Sequence, residues 1–310
     1  MPALTRAGMG RLCRNEDRGA IVQILFNGLC NGALIALLAM AFVVVYLPTK
    51  VFYIALAGIY VLAAYLTKQL MAWGLPWPVA VVGALAAGVG VSLLCDLLNH
   101  RPLERKRSSM GAHMISSLGI YMILVQVVAL VWGNDPQVLK TGIGGVWRAG
   151  GLVMAHSQIA ALLVSLLLVA VFFSWLKCSD LGLRFRGLAD NPVEMELLGY
   201  DTDNLRTLAF GISGFLGSAA GILNAYDLGF DPNIGMSAVM LAIVATIIGG
   251  RGTFIGPVIG GILLGIVRSQ VVWHASARWQ DAITFFILAV FLLCRPNGIV
   301  GGEKRLEANE

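Results

Sequence analysis

Apolar runs of twenty or so residues alternate along this chain with short polar stretches, and the run length matches what a helix needs to cross hydrocarbon. About eight such segments can be placed: Ile21–Leu47, Val51–Trp73, Trp77–Leu98, Ala112–Trp132, Gln158–Leu176, Leu205–Tyr226, Ser237–Trp273 and Asp281–Cys294. The seventh is too long for one crossing. Gly249, Gly250, Arg251 and Gly252 interrupt it, so two short helices meeting at a break are expected there. No segment shows the alternation of a membrane barrel strand. Backbone groups in lipid must be satisfied within their own segment, so the expected class is an all-α, polytopic membrane bundle of about eight to nine helices. Residues 1–20 form a polar N-terminal segment, 21–302 a single transmembrane domain and 303–310 a short tail.

Composition agrees with the pattern. Hydrophobic residues make up 58% of the chain and charged residues 13%, against roughly 25% charged in soluble domains. The surroundings are therefore membrane lipid. A net charge of +5 would point to nucleic acid in a soluble protein, but here it reflects topology and no nucleic-acid partner is expected. Arg101, Arg105, Lys106 and Arg107 cluster after the third span, which assigns that loop to the cytoplasm. Two spans later the stretch from Leu181 falls on the same side, with Lys177, Arg184 and Arg186 at its start. Counting back puts the N-terminus outside, against the signal of Arg6, Arg11, Arg14 and Arg18. Ala39-Met40-Ala41 has a small-x-small form, yet the apolar run continues to Leu47, so a retained helix is expected there.

The polar stretch Leu181–Gly214 stands out among the connections. Asp190 or Asn191 can cap a short helix, Pro192 suits its first turn and Gly199 its left-handed stop. Between them Val193, Met195, Leu197 and Leu198 alternate with Glu194 and Glu196, giving about two turns with exposed apolar side chains. The acidic residues Asp190, Glu194, Glu196, Asp201 and Asp203 argue against a helix lying on an anionic leaflet. A loop built to take force from a soluble partner fits better. Arg184, Asp190, Asn191, Pro192, Glu194, Met195, Leu198 and Gly199 are its candidate coupling residues.

Candidate chemistry is sparse. GGRGTFIGPVIGG lacks the Lys-Ser or Lys-Thr of a phosphate loop, and no such motif occurs elsewhere, so ATP hydrolysis by that route needs another subunit. Five cysteines are scattered without metal or disulfide spacing, and no metal or cofactor is expected. His100, His113, His156 and His274 sit at or near expected loops and read as solvated or interfacial. Asp96 and Arg268 lie near span ends, leaving no charge at a span centre, which weighs against a proton- or sodium-driven mechanism. The neutral polar residues within spans more often join helices than bind solute. Collectively Asn27, Asn31, Tyr53, Tyr60, Ser213 and Asn224 could line a path for a small polar molecule. Asn27 and Asn31, four apart on the first span, share a helical face, and Tyr53 and Tyr60, seven apart on the second, also share one. Regularly spaced glycines, among them Gly28, Gly32, Gly217, Gly252, Gly256, Gly260, Gly261 and Gly265, are expected where helix backbones meet.

The segment GLRFRGLADNPVEMELLGYDTDNLRTLAFGISGFLGSAAGIL resembles the loop and following helix of branched-chain amino acid type ABC transporter permeases. The likeness continues through IIGGRGTFIGPVIGGILLGI and LLCRPNGIVG, and FNGLCNGALIAL resembles the opening helix, so it spans about residues 22–302. It implies a multi-pass subunit of a bacterial inner membrane that pairs with a second, related permease, two cytoplasmic ATPase subunits and a periplasmic solute-binding protein. Members move leucine-type amino acids, and close relatives move urea and short amides. A secondary transporter or facilitator working without ATPases is the alternative. One departure stands out: such permeases often carry FxIAHGxxY in the second span, and here Leu56 replaces the histidine and Ala57 the glycine. Losing that polar group points to an altered solute or a diverged paralogue.

Overall fold

The computed structural model describes residues 6–106, 108–139, 145–149, 152–250, 252–295 and 298–300; the expected tail 303–310 and Arg107 and Arg251 lie outside them. Helix α1 spans Arg6–Thr49, α2 Leu56–Ala72, α3 Trp77–Cys95, α4 Arg101–Arg105, α5 Met110–Trp132, α6 His156–Cys178, α7 Asp180–Asp190, α8 Pro192–Leu197, α9 Thr202–Asp227, α10 Ile234–Gly249, α11 Gly256–His274 and α12 Gln280–Cys294. A two-stranded antiparallel hairpin, β1 (Val146–Ala149) and β2 (Leu152–Ala155), sits between α5 and α6. Among the described residues, seven helices are long and apolar enough to cross a bilayer, and α2 and α10 are shorter apolar helices beside them.

The expected break in the seventh segment is present, with α10 ending at Gly249 and α11 starting at Gly256. Gly250 has φ +117°, open to glycine at little cost. A broken helix must satisfy its freed carbonyls, and a returning strand of chain does so: Ile299 N donates to Ile248 O (2.9 Å) and Val300 N to Gly249 O (3.0 Å). Thr253 Oγ1 accepts from Gly256 N at 3.2 Å and caps α11. The two helices then run antiparallel, Gly260 lying on the Ala245 carbonyl.

A second small-residue seam holds α1 to α11. Gly28 faces Ile266 and Gly265, Gly32 faces Ile262 and Gly265, and Ala36 faces Gly261, so that a side chain at Gly265 would collide with the Gly32 backbone. Without a hydrophobic drive between helices in lipid, backbone approach of this kind supplies the dispersion contact. Gly252 is different: among the described residues nothing lies within 4 Å of where its side chain would stand.

Two expectations about span ends change. The third span does not stop at Leu98. A π-helical turn, Asp96–His100, joins α3 to α4, which carries Arg101 and Arg105 on a helix rather than in a loop. The polar stretch after α6 begins with a full helix, α7, where only a loop was expected; Gly182, Phe185, Leu188 and Ala189 form its buried stripe. Seams and loops together set the direction of α1. Gln23 Nε2 donates to Val153 O of the hairpin at 2.9 Å. Thr49 and Lys50, at the other end, share a cavity of about 400 Å³ with Glu104, His113 and Arg206. The apolar part of α1 therefore begins at the end of the bundle opposite α7 and α8, as span counting indicates and against the N-terminal arginines.

Candidate functional site

At the α7–α8 end, local chemistry builds a compact two-helix projection. Asn191 Oδ1 accepts from Val193 N (3.1 Å) and Glu194 N (3.4 Å), and its amide donates to Glu194 Oε1 (2.7 Å). With Pro192 in the first turn this is a fully used N-cap. The other end closes with Gly199 N to Glu196 O (2.9 Å) and Tyr200 N to Met195 O (3.1 Å), Gly199 at φ +82°. Arg184 lays its guanidinium over the Tyr200 ring, 5.3 Å from the centroid. Asp190, Glu194, Val193, Leu197 and Leu198 face outward. Met195 does not. Expected on the exposed face, it is buried with Leu188 and Leu205 against Gly187, because α7 supplies a wall that the sequence pattern alone did not reveal.

Beneath this projection the start of α9 is tied to α3 and α4. Asp96, 1% exposed, accepts from Thr207 Oγ1 at 2.9 Å and faces the Arg101 Nε at 3.4 Å. Arg101 also donates to Asp203 O (3.3 Å) and to Thr207 Oγ1, and Arg206 pairs with Glu104. The π turn brings both Asp96 and His100 inward; one extra residue in the turn re-aims side chains, and such turns recur at functional positions. His100 and His113, expected to be solvated or interfacial, are both buried, their Nδ1 atoms 3.3 Å apart. His156 and His274 are exposed as expected. Ser92 donates to Phe210 O at 2.7 Å and lies 2.9 Å from the Tyr53 hydroxyl.

The expected path residues divide. Asn31, Tyr60 and Asn224 line one cavity of about 430 Å³ between α1, α2, α9, α10 and α11, together with Ser237, Gln280 and Arg268. Gly221 rests on the Tyr60 carbonyl, which sets Asn224, one turn further along α9, beside Tyr60. Leu34, Leu38, Leu241 and Val272 supply an apolar wall. Asn27 lies a turn away along α1, bonded by Gln23 at 3.2 Å, and is not on the wall. Tyr53 and Tyr60 do not share a helical face, because Tyr53 precedes the first turn of α2 and is buried beside His100 and Phe210. Ser213 is fully buried in the core of α9, away from the cavity. Leu56, at the departure from FxIAHGxxY, is buried against Gly217.

Sequence reasoning missed Arg268 as a cavity residue, having placed it near a span end. It stands on α11 with 15% of its side chain exposed and pairs with Asp281 at 2.9 Å. Its Nη1 also donates to Thr284 Oγ1 (3.1 Å) and its Nη2 to Gln280 Oε1 (3.4 Å). The signal in the sequence was a cation, a carboxamide and a carboxylate flanking the polar break at Ser276.

The chain is similar to several known proteins. The permease protein LivH of the high-affinity branched-chain amino acid transport system of Salmonella typhimurium is 26% identical over 295 residues, 90% of this chain and 95% of that protein. BraD of Pseudomonas aeruginosa, described in the same terms, is 28% identical over the same shares. The autoinducer 2 import system permease LsrC of Escherichia coli is 29% identical, covering 88% of this chain and 79% of that protein. Among solved structures, PsaBC from Streptococcus pneumoniae in complex with Fab aligns with 86% of this chain and 89% of that chain, at 11% identity and a TM-score of 0.47. A family model matches residues 24–292, and the chain belongs to that family, the branched-chain amino acid transport system / permease component.

Proposed function

We propose that this chain works as one permease subunit of an importer that carries branched-chain amino acids or a related small polar solute by alternating access. In this reading a second, related permease completes the membrane core, two cytoplasmic ATPase subunits drive it and a periplasmic binding protein delivers solute. The observation that carries the reading is the α7–α8 projection. Its helix α8 is capped at both ends yet presents Val193, Leu197 and Leu198 outward, Leu197 at 82% exposure. Exposed apolar side chains on a rigid mount suit a docking partner. Force applied there reaches α9 directly, since α8 is followed at once by the α9 turn that Arg101 and Asp96 hold.

Leu197→Asp with Leu198→Asp should leave membrane insertion and monodispersity unchanged and abolish both ATPase co-purification and ATP-driven uptake. Undiminished uptake by the double variant, or uptake by the permease alone in liposomes without ATPases, would sink the coupling assignment and favour a facilitator.

A further inference from the structure

Helix α5 carries a polar group that neither the bundle nor the cavity uses. One side of this helix packs on α2 and its flanks. Ser117 Oγ accepts from Ala55 N at 2.9 Å, Leu124 lies on Gly58, and Trp132 Nε1 donates to Gln69 Oε1 at 2.9 Å. Gln126 stands nine residues beyond Ser117, about two and a half turns, and so points the opposite way. It is exposed, and among the described residues nothing bonds its carboxamide. Trp132 is six residues on and Met110 sixteen back, about 9 Å and about 24 Å at helical rise. A hydrocarbon layer of about 30 Å therefore covers it. Two methylenes cannot carry the amide out to water, as the long stems of Lys and Arg carry their charges. Ile115, Met122 and Leu130 share its face and are exposed with it, so the surface is apolar and not the wall of a water-filled path. On α12, by contrast, the outward Phe285, Phe286, Val290 and Leu293 are all apolar, as lipid requires.

We propose that this face of α5 is where the second permease subunit packs, with Gln126 bonding across the interface. The inference rests on the transport reading, which calls for such a partner and does not say where it sits. Lipid tails offer no donor or acceptor, and an amide left bare in hydrocarbon is costly. A neighbouring protein helix supplies both, which is how amides join helices in membranes. A related subunit fits best, because a carboxamide both donates and accepts and so pairs with its counterpart across a two-fold or near-two-fold axis. Gly119 lies about two turns from Gln126 on the same face, and among the described residues a side chain there would meet nothing within 4 Å. Small residues are what let two helix backbones close together in lipid.

The test is photo-crosslinking in the membrane-embedded complex, with p-benzoylphenylalanine in place of Met122 or, for contrast, of Phe286. From Met122 the probe should form an adduct with a membrane helix of the second permease, and from Phe286 with lipid alone. Gly119→Phe should leave the melt of this chain unchanged, since the space is open, and abolish recovery of paired permeases in native mass spectrometry. Gln126→Leu should weaken pairing about threefold to tenfold, the range of one interhelical hydrogen bond in lipid, and Gln126→Asn should keep part of it. Lipid adducts alone from Met122 would overturn the proposal, as would undiminished pairing in Gly119→Phe. Either result with ATP-driven uptake intact would leave the transport reading standing. A second permease crosslinked through Met122 in a complex without ATP-driven uptake would do the reverse.

Discussion

The two ends of the bundle each carry an arginine–aspartate pair, built in opposite senses. Near α7 and α8 the carboxylate is sealed: Asp96 is 1% exposed and Arg101, at 24%, is the outer member. At the cavity it is the arginine that is covered, at 15%, while Asp281 is 67% exposed. A sealed carboxylate must be satisfied by its neighbours, so the first pair locks α3, α4 and α9 together. At the cavity the covered arginine is held by three residues of one helix, Asp281, Thr284 and Gln280 of α12. One pair is a clamp between three helices, and the other ties α11 to α12 at the cavity wall.

The sharpest way to break this contrast is to remove the outer member of the clamp. Arg101→Leu strands Asp96, and breaking a buried pair in this way costs about 3 kcal/mol or more. The purified variant should lose much of its thermal stability, with Asp96→Asn in the same chain restoring most of it. An unchanged melting curve for the single variant would mean that the clamp is not one. Next comes Ser92→Ala, which leaves the Phe210 carbonyl and the buried Tyr53 hydroxyl without the partner they share; the expected loss is about 1–3 kcal/mol, read in the same melts.

Asn191→Ala removes the α8 cap, worth about 1 kcal/mol, and that loss should be local. Hydrogen exchange should rise at Val193 and Glu194 while the global melt barely moves, and a large global shift would instead make α8 part of the core. The smallest effect belongs to the cavity pair. Asp281→Asn should alter stability by less than about 1 kcal/mol, as for exposed ion pairs, and a loss as large as that of Arg101→Leu would erase the difference between the two ends.

What could be read in advance shows a consistent boundary. The cap at Asn191, the first-turn Pro192 and the stop at Gly199 were legible because capping is chemistry between neighbours in sequence. The break at Gly249–Gly250 was legible for the same reason. Met195 was misplaced because the wall that covers it is Leu188 of α7 and Leu205 of α9, and α7 itself was hidden by mixed charges over an amphipathic stripe. Tyr53 was placed on a helical face because seven-residue spacing presumes a continuous helix, and the chain between α1 and α2 is not helical there.

By itself the sequence determined that this is a polytopic helical membrane protein with a capped polar projection. Run length in hydrocarbon and local backbone chemistry are both properties of contiguous residues. Only the tertiary structure decided which polar residues meet. Gly32 against Gly265 and Gly221 against the Tyr60 carbonyl are approaches between helices far apart in the chain. They bring Asn31, Tyr60, Asn224 and Arg268 around one cavity, while the π turn at Asp96–His100 draws a carboxylate and an imidazole inward. A span's composition says that a polar group is there, but its neighbours across the seam set whether it glues, clamps or binds.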